Sequence, residues 1–418
     1  MRLKTILNRC CQFKGFVIGA AKFDSKERLV VEIGARKGSR ELRSHCGKPA
    51  PGYDHLPTRL FEFIPVWGYK VFFRYAERRV ECRRCGRVVV EKLPWSDGKS
   101  HLTLHYCKYL AGWAKEISWQ SAADRFRTSW QTVCRAVKSI VEYGLENRKV
   151  DNVAALGVDE IHWHKGQDYL TLVYQIDAGC RRLLWVGEKR TQETLKSFVK
   201  EFNALDKEFS SRIKFVCSDM WRPYLKVIKQ MLPNALNILD RFHIMQKFGK
   251  AIDKVRAEEA KRLRSEKKEP LLSKSRWCFL KRKQNLTGKQ GLKLDELLRM
   301  NLRTVKAYLL KEQFHKFWEY KSPAWAGKFL DQWRHAANRS RIEPMREVAK
   351  MLHAHQDLIL NYFRAKRQFN SGVVEGLNLK VNLTVRKAFG FRSFEIAKVA
   401  LYHQLGDLPE PQFAHEFW

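Results

Sequence analysis

Between residues 154 and 241 the hydrophobic pattern changes character in an order that few folds accommodate. Strands are expected over 154–162, 169–176 (Tyr-Leu-Thr-Leu-Val-Tyr-Gln-Ile) and 182–187 (Arg-Leu-Leu-Trp-Val-Gly). A helix follows over about 191–205, then a strand over 213–218, a helix over about 222–231, a strand over 235–239 and a helix from Arg241. Three strands followed by alternating helices and strands is the order of a ribonuclease-H-like domain, in which the first and fourth strands lie side by side. Asp159 ends the first apolar run, Leu156-Gly157-Val158, and Asp219 closes the fourth, Ile213-Lys214-Phe215-Val216-Cys217-Ser218. The order therefore makes them spatial neighbours. An isolated Asp at a strand end is usually a turn former, so the ordering carries more weight than either residue alone.

A third acid, Glu375, falls on a helix expected to begin near Asn370-Ser371. At 3.6-residue spacing Val374, Leu377, Val381 and Ala388 share one face, and Glu375, Asn378, Asn382 and Arg386 form a polar stripe beside it. A carboxylate, two amides and a guanidinium suit a metal ion together with a phosphate backbone; a solvated stripe is the plain alternative. Asp159, Asp219 and Glu375 are hard-oxygen donors of the kind that hold magnesium at a phosphodiester. Glu160, His162 and His164 alternate on one face of the first strand, but the three acids account for the chemistry without a zinc there.

Charge points to the partner. Lys and Arg number 80 against 44 Asp and Glu, a formal net charge of +36 spread over 418 residues. Such a field favours a polyanion, nucleic acid above all, with a ribosome-associated or merely basic protein as the alternative. The length allows roughly two to four domains. No apolar run spans a bilayer, and the weakly apolar stretch from Gly15 to Ala21, flanked by Lys14 and Lys22, lacks a convincing cleavage site. Ten cysteines without a secretory signal imply reduced thiols or metal ligation, and a cytoplasmic location is expected.

Strands are expected over 28–34 and 69–80. Next comes Cys82-Arg83-Arg84-Cys85-Gly86, a knuckle of zinc-ribbon form. Its upstream counterpart, His45-Cys46-Gly47-Lys48, is incomplete, because Arg43 stands where the first cysteine belongs. Cys46, Cys82 and Cys85 remain in frame with His45 as the nearest fourth donor, so bound zinc and a ribbon held by packing alone both stay open.

Residues 104–145 read as helices, with Tyr109, Trp113 and Ile117 on one face. Ser121-Ala122-Ala123-Asp124 has the form of a capping box opening a short helix through Phe126, and Arg127-Thr128-Ser129 is a turn. Trp130, Val133, Val137 and Ile140 then recur at helical spacing, giving a helix-turn-helix whose exposed face carries Gln131, Thr132, Arg135 and Lys138. An ordinary α-hairpin is the alternative. Residues 257–368 read as a charged helical insertion in which Leu294, Leu297, Leu298, Tyr308 and Leu309 mark amphipathic helices and Trp318, Trp325 and Trp333 pack.

Gly157-Val158-Asp159-Glu160, Leu239-Asp240-Arg241-Phe242-His243, the segment from Asn370 to Asn378 and Ala388-Phe389-Gly390-Phe391-Arg392 together resemble the ISL-three-type insertion-sequence transposases of bacteria, over nearly the whole chain. The resemblance implies a zinc-ribbon-like module (1–100), a helix-turn-helix (101–150), and a ribonuclease-H-like DDE core (151–256 and 369–408) interrupted by the insertion (257–368). It implies Asp159, Asp219 and Glu375 as the acidic triad, with Asp240 and His243 as near-site candidates, to which the polar stripe adds Asn378. The expected partners are double-stranded DNA, as terminal repeats and target, and further copies of the chain on that DNA, in association with the nucleoid. Two Mg²⁺ ions, or Mn²⁺, are the expected cofactors. A repressor or domesticated transposase that binds without cutting, and a nuclease that cuts without joining, are the rival functions.

Overall fold

The computed structural model describes residues 3–44, 47–82, 86–96, 98, 100–163, 168–268, 270–369 and 372–413. The chain divides into two compact units, Met1–Lys149 with Leu383–Trp418, and Val150–Asn382. The architecture is mixed α/β, with several sheets and many helices.

The first unit begins with α1 (Leu3–Cys10), β1 (Phe16–Phe23), β2 (Leu29–Ala35), β3 (Glu41–Leu42), β4 (Pro49–Ala50), β5 (Gly52–Val66), β6 (Tyr69–Cys82) and β7 (Arg87–Val90). The main sheet runs β1-β2-β6-β5, with β7 paired to β6. The two strands expected here, β2 and β6, are parallel neighbours with Leu29 opposite Val71. β5 is 15 residues long although it contains Pro57 and Pro65, which cannot donate to a ladder. Its register against β6 shifts between His55 and Thr58 and again between Phe63 and Val66, so each proline falls in an irregularity of the ladder. Trp95 is fully buried behind this sheet, with Phe13, Phe16, Phe61 and Tyr75 at centroid distances of 5.1, 4.8, 6.2 and 5.3 Å. Of the proposed zinc donors, His45, Cys46 and Cys85 lie outside the described residues; Cys82 ends β6, and its side chain is likewise outside them.

Three helices follow, α2 (Leu104–Glu116), α3 (Trp119–Arg125) and α4 (Trp130–Asn147). The cap of α3 is Ser118 and not Ser121: the Ser118 hydroxyl accepts from the Ser121 backbone N–H at 3.1 Å. The sequence offers two serines three residues apart, and the earlier one has the extended backbone a cap needs. Ser129 caps α4, accepting from Thr132 N–H at 3.2 Å, and Val133, Val137 and Ile140 are buried as their spacing predicts. On α2 the buried positions are His105, Tyr106, Cys107, Leu110, Ala111 and Ala114. The predicted stripe of Tyr109, Trp113 and Ile117 is half-buried, and the rings of Tyr109 and Trp113 meet Phe126 edge-on at 5.3 and 5.8 Å.

The second unit contains β8 (Ala155–His162), β9 (Tyr169–Asp177), β10 (Cys180–Glu188), α5 (Gln192–Leu205), α6 (Phe209–Arg212), β11 (Phe215–Ser218), α7 (Arg222–Met231) and β12 (Leu236–Leu239). The helices α8 (Arg241–Ser265), α9 (Arg276–Leu280), α10 (Gly288–Leu298), α11 (Arg303–His315), α12 (Pro323–Arg339), α13 (Glu343–Ala354) and α14 (Gln356–Arg364) follow; α15 (Gly372–Lys387) belongs to this unit up to Asn382 and to the first from Leu383, and α16 (Phe394–Leu405) belongs to the first unit. The sheet order is β10-β9-β8-β11-β12, and β8 and β11 are parallel neighbours with Gly157 opposite Cys217. Leu156, Val158 and Val173 bury one face of this sheet against Phe198, Phe202, Tyr224 and Val227 of α5 and α7, each worth about 1.5–3 kcal/mol of burial.

In the region 257–368, Leu294, Leu297, Tyr308, Trp318 and Trp333 are buried, but Leu309 and Trp325 are 52% and 61% exposed. The expected packing role of Trp325 is therefore corrected, and Leu309 lies off the covered face of its helix: the periodicity counts an apolar residue without knowing which side of the helix is covered. The buried Glu259 of α8 takes over the missing cap of α11, accepting from Arg303 N–H (2.9 Å), Thr304 N–H (2.8 Å) and Thr304 Oγ1 (2.7 Å). Glu259→Ala leaves those donors buried and unpaired, and is expected to destabilise this unit by about 2–4 kcal/mol. Hydrogen exchange at the start of α11 reads the effect, and unchanged protection there would refute it.

Candidate acidic site on the second sheet

Chain direction decides what gathers at the sheet edge. β8, β11 and β12 run parallel and β10 shares their direction through two antiparallel pairings, so all four present their carboxyl ends on one side. Asp159 lies on β8 three residues before its end, Arg190 follows β10, Asp219 follows β11 and Asp240 follows β12. Ligands of open α/β sheets bind at this edge because loops there are free to vary over a fixed scaffold.

Side chains on β8 alternate between its two faces. Leu156 and Val158 face α5 and α7, while Gly157 and Asp159 face α15. A Cβ placed on Gly157 would come 2.6 Å from Cγ2 of Val374, so glycine lets α15 lie close to the strand. One helical turn beyond Val374, Asn378 Nδ2 donates to Asp159 Oδ2 at 2.6 Å, and its Oδ1 accepts from the Tyr174 hydroxyl at 2.7 Å. Two residues of strand and one turn of helix span nearly the same length, about 6–7 Å, which is why both contacts are made at once. The other oxygen of Asp159 accepts from Glu160 N–H at 2.8 Å. Burial pushes the Asp159 carboxyl up and the neighbouring Asp219 adds to this, against the pull of His243 and Asn378.

Asp219 is held by Trp221 N–H on Oδ1 (2.8 Å) and by Arg190 Nη2 on Oδ2 (2.9 Å). The same Arg190 nitrogen lies 2.7 Å from Glu160 Oε1, and the guanidinium sits 4.4 Å from the centroid of the Trp221 ring. Arg190 is thus an internal counter-ion joining two acids. Glu160 Oε2 and Arg190 Nε are nonetheless buried without a hydrogen-bond partner. Burial, with Asp219 adding to it, pushes the Glu160 carboxyl up to about 8.

The other expected residues fall as follows. Asp240 caps α8, accepting from Phe242 N–H at 2.6 Å, with His243 Nε2 at 3.7 Å from its Oδ2. Glu375 lies exposed in the first turn of α15, one turn before Asn378. Asn382 and Arg386 are exposed further along α15, and Gln131, Arg135 and Lys138 are exposed on α4. Thus Asp159, Asp219 and Asn378 are gathered at one edge, whereas Glu375 is not drawn in with them. Among the described residues, no three His, Cys, Asp or Glu side chains stand close enough to hold a metal ion together. The oxygen donors of Asp159 and Asp219 nevertheless fit a hard divalent cation, which would relieve the burial of Asp159 and replace the charge of Arg190. Sequence reasoning missed Arg190 and Tyr174, since neither carries a local signal.

Among the described residues, no helix is long and apolar enough to cross a membrane. A family model described as a transposase, that of the ISL3-type DDE proteins, matches residues 156–401. The chain is 30% identical to the transposase of insertion sequence element IS1001 from Bordetella parapertussis, over 85% of this chain and 86% of that one. It is 27% identical to the transposase of IS1557 from Mycobacterium tuberculosis, over 88% of this chain and 86% of the relative. A solved structure of a Drosophila P element transposase strand transfer complex aligns over 71% of this chain and 91% of its own, with 10% identity and a TM-score of 0.38. With more than half its length matched by the family model and a relative this similar along most of both chains, the protein belongs to the ISL3-type family of DDE transposases.

Proposed function

We propose that the protein binds the ends of an insertion sequence and cuts and joins DNA strands in a reaction that depends on Mg²⁺. The five-stranded sheet with its helices is read as a ribonuclease-H-like core interrupted by the helical region 257–368, preceded by a ribbon-like module (1–100) and a helix-turn-helix (101–150). The observation that carries the reading is the parallel pairing of β8 with β11, whose register, with Gly157 opposite Cys217, sets Asp159 level with Asp219. Asp159, Asp219 and Glu375 would hold the ions, which when bound supply Lewis-acid charge at the phosphodiester oxygens. Asn378, fixed by Tyr174, orients the Asp159 carboxylate. Arg190 bridges Glu160 and Asp219, and a bound cation would take over its role as counter-ion to Asp219. Gln131, Arg135 and Lys138 on α4, with Asn382 and Arg386 on α15, are assigned to DNA contact, and joining two ends calls for more than one copy of the chain.

A second reading, a transposase descendant that binds DNA without cutting it, is favoured by one observation: the described residues contain no ready three-donor group. An assay with oligonucleotides carrying the element's ends separates these. Joined product with Mg²⁺ and none with EDTA is the expected result. Cleavage without joining would make the protein a nuclease, and binding without cleavage would make it a binder.

A further inference from the structure

The first unit holds a cleft of about 640 Å³ between the turn that joins α3 to α4 and the 388–392 loop before α16. That volume lies within the range of about 300–1,000 Å³ typical of small-ligand sites. We propose that this cleft seats one unstacked nucleotide of the bound DNA, with Phe389 as the wedge that opens the stack.

Four features fix the ligand's chemistry. The first is an aromatic wall. Trp119 and Trp130 lie with ring centroids 5.8 Å apart, and Phe391 closes the loop side. Flat apolar faces of this kind accept any base, because every base offers a π-face. The second is charge. Lys387 and Arg392 line the cleft, the Arg392 guanidinium sits 5.7 Å from the Trp130 centroid, and no Asp or Glu is among the described residues that line it. Aromatic faces, amides, hydroxyls and two cations without an acid match an aromatic ligand that carries a phosphate.

The third is an unsatisfied polar atom behind the wall. His403 lines the cleft, is buried to 7% exposure, and its Nε2 has no partner. Burial, with Lys115 and Lys387 nearby, pushes its pKa down to about 3, so the ring is neutral and keeps one donor or acceptor unspent. A buried nitrogen left unpaired costs about 1–3 kcal/mol, which a small rotation of the ring toward a bound base would recover. The fourth is the wedge. Phe389 is 95% exposed and holds a left-handed backbone (φ +53°), followed by Gly390 at φ +94°. A bulky residue in that conformation is strained, and its ring gains nothing from water. Apolar side chains that enter a base step unstack it at a cost of a few kcal/mol, and a cleft beside the wedge recovers part of that cost.

The proposal rests on the reading that α4 meets DNA, and its test is independent of catalysis. Full-length protein carrying Asp159→Asn is mixed in EDTA with duplexes of the element's ends in which 2-aminopurine is stepped through each position. A fluorescence change of threefold or more confined to one or two positions is expected. Phe389→Ala removes the wedge, and Gln404→Trp fills the cleft from an exposed position; both are expected to abolish the signal. A mismatch at the same position, which lowers the cost of unstacking, is expected to tighten binding by roughly tenfold or more. Absence of a position-specific signal, absence of duplex binding, or a signal that survives either variant overturns the proposal. A positive signal together with no strand transfer in the wild-type protein would instead retain nucleotide capture and reject catalysis.

Discussion

Asp159→Asn is expected to abolish Mg²⁺-dependent cleavage and joining, a loss of about a thousandfold or more, while leaving DNA binding and fold intact. A metal ion at a phosphodiester is worth several kcal/mol of transition-state stabilisation, and each 1.36 kcal/mol is a factor of ten in rate. Removing one formal charge from the donor set forfeits most of it. The amide keeps the size of the carboxylate, and its oxygen can still accept from Glu160 N–H or Asn378 Nδ2, which now lie at 2.8 and 2.6 Å. Burial already penalises the ionised Asp159, so a neutral amide should leave the melting temperature unchanged or raise it. Loss of activity with undiminished stability is a signature that a purely structural residue does not give. Cleavage within tenfold of the wild-type rate would remove Asp159 from the machinery.

The succession of strands and helices in the second unit was legible because each element is short and apolar with its own period, and their order alone made neighbours of Asp159 and Asp219. What pattern could not supply was the other partner of each acid. Arg190 is one basic residue among 80 Lys and Arg, and nothing local marks it. Its role comes from the direction of β10, which ends on the same edge as β8 and β11. Glu375 shows the converse: the expectation put Glu375 with Asp159, yet Asn378 is the α15 residue that hydrogen-bonds Asp159, and Glu375 lies exposed in the first turn. In the first unit β5 was hidden by Pro57 and Pro65, which argue against a strand until the register shifts that absorb them are known. Helix starts were ambiguous wherever two capping residues lay one turn apart, as Ser118 and Ser121 do.

Gly157→Ala tests whether α15 must lie against β8 for the acidic site to exist. In most strands this exchange would stabilise, since glycine costs more backbone entropy than alanine. Here the new Cβ would sit 2.6 Å from Val374 Cγ2 and 3.2 Å from Ile176 Cγ2, distances that force a neighbour to move. Overpacking of this kind costs about 1–3 kcal/mol. The neighbour that gives way is α15, a helix resting on one side of the strand, whereas Ile176 is fixed in the sheet by the pairing of β9 with β10, opposite Arg181. Asn378 then leaves Asp159, and the first turn carrying Glu375 moves with it. A misplacement of about 1 Å at a reacting centre can cost a hundredfold in rate, so activity should fall much further than stability does. The double variant Gly157→Ala/Val374→Ala returns the space on the helix side and is expected to recover most of the lost rate despite its extra truncation. If Gly157→Ala proved neutral in both melting temperature and strand transfer, the close approach of α15 to β8 would have no part in the site; if the double variant were worse than both single ones, the clash with Val374 would not be the cause.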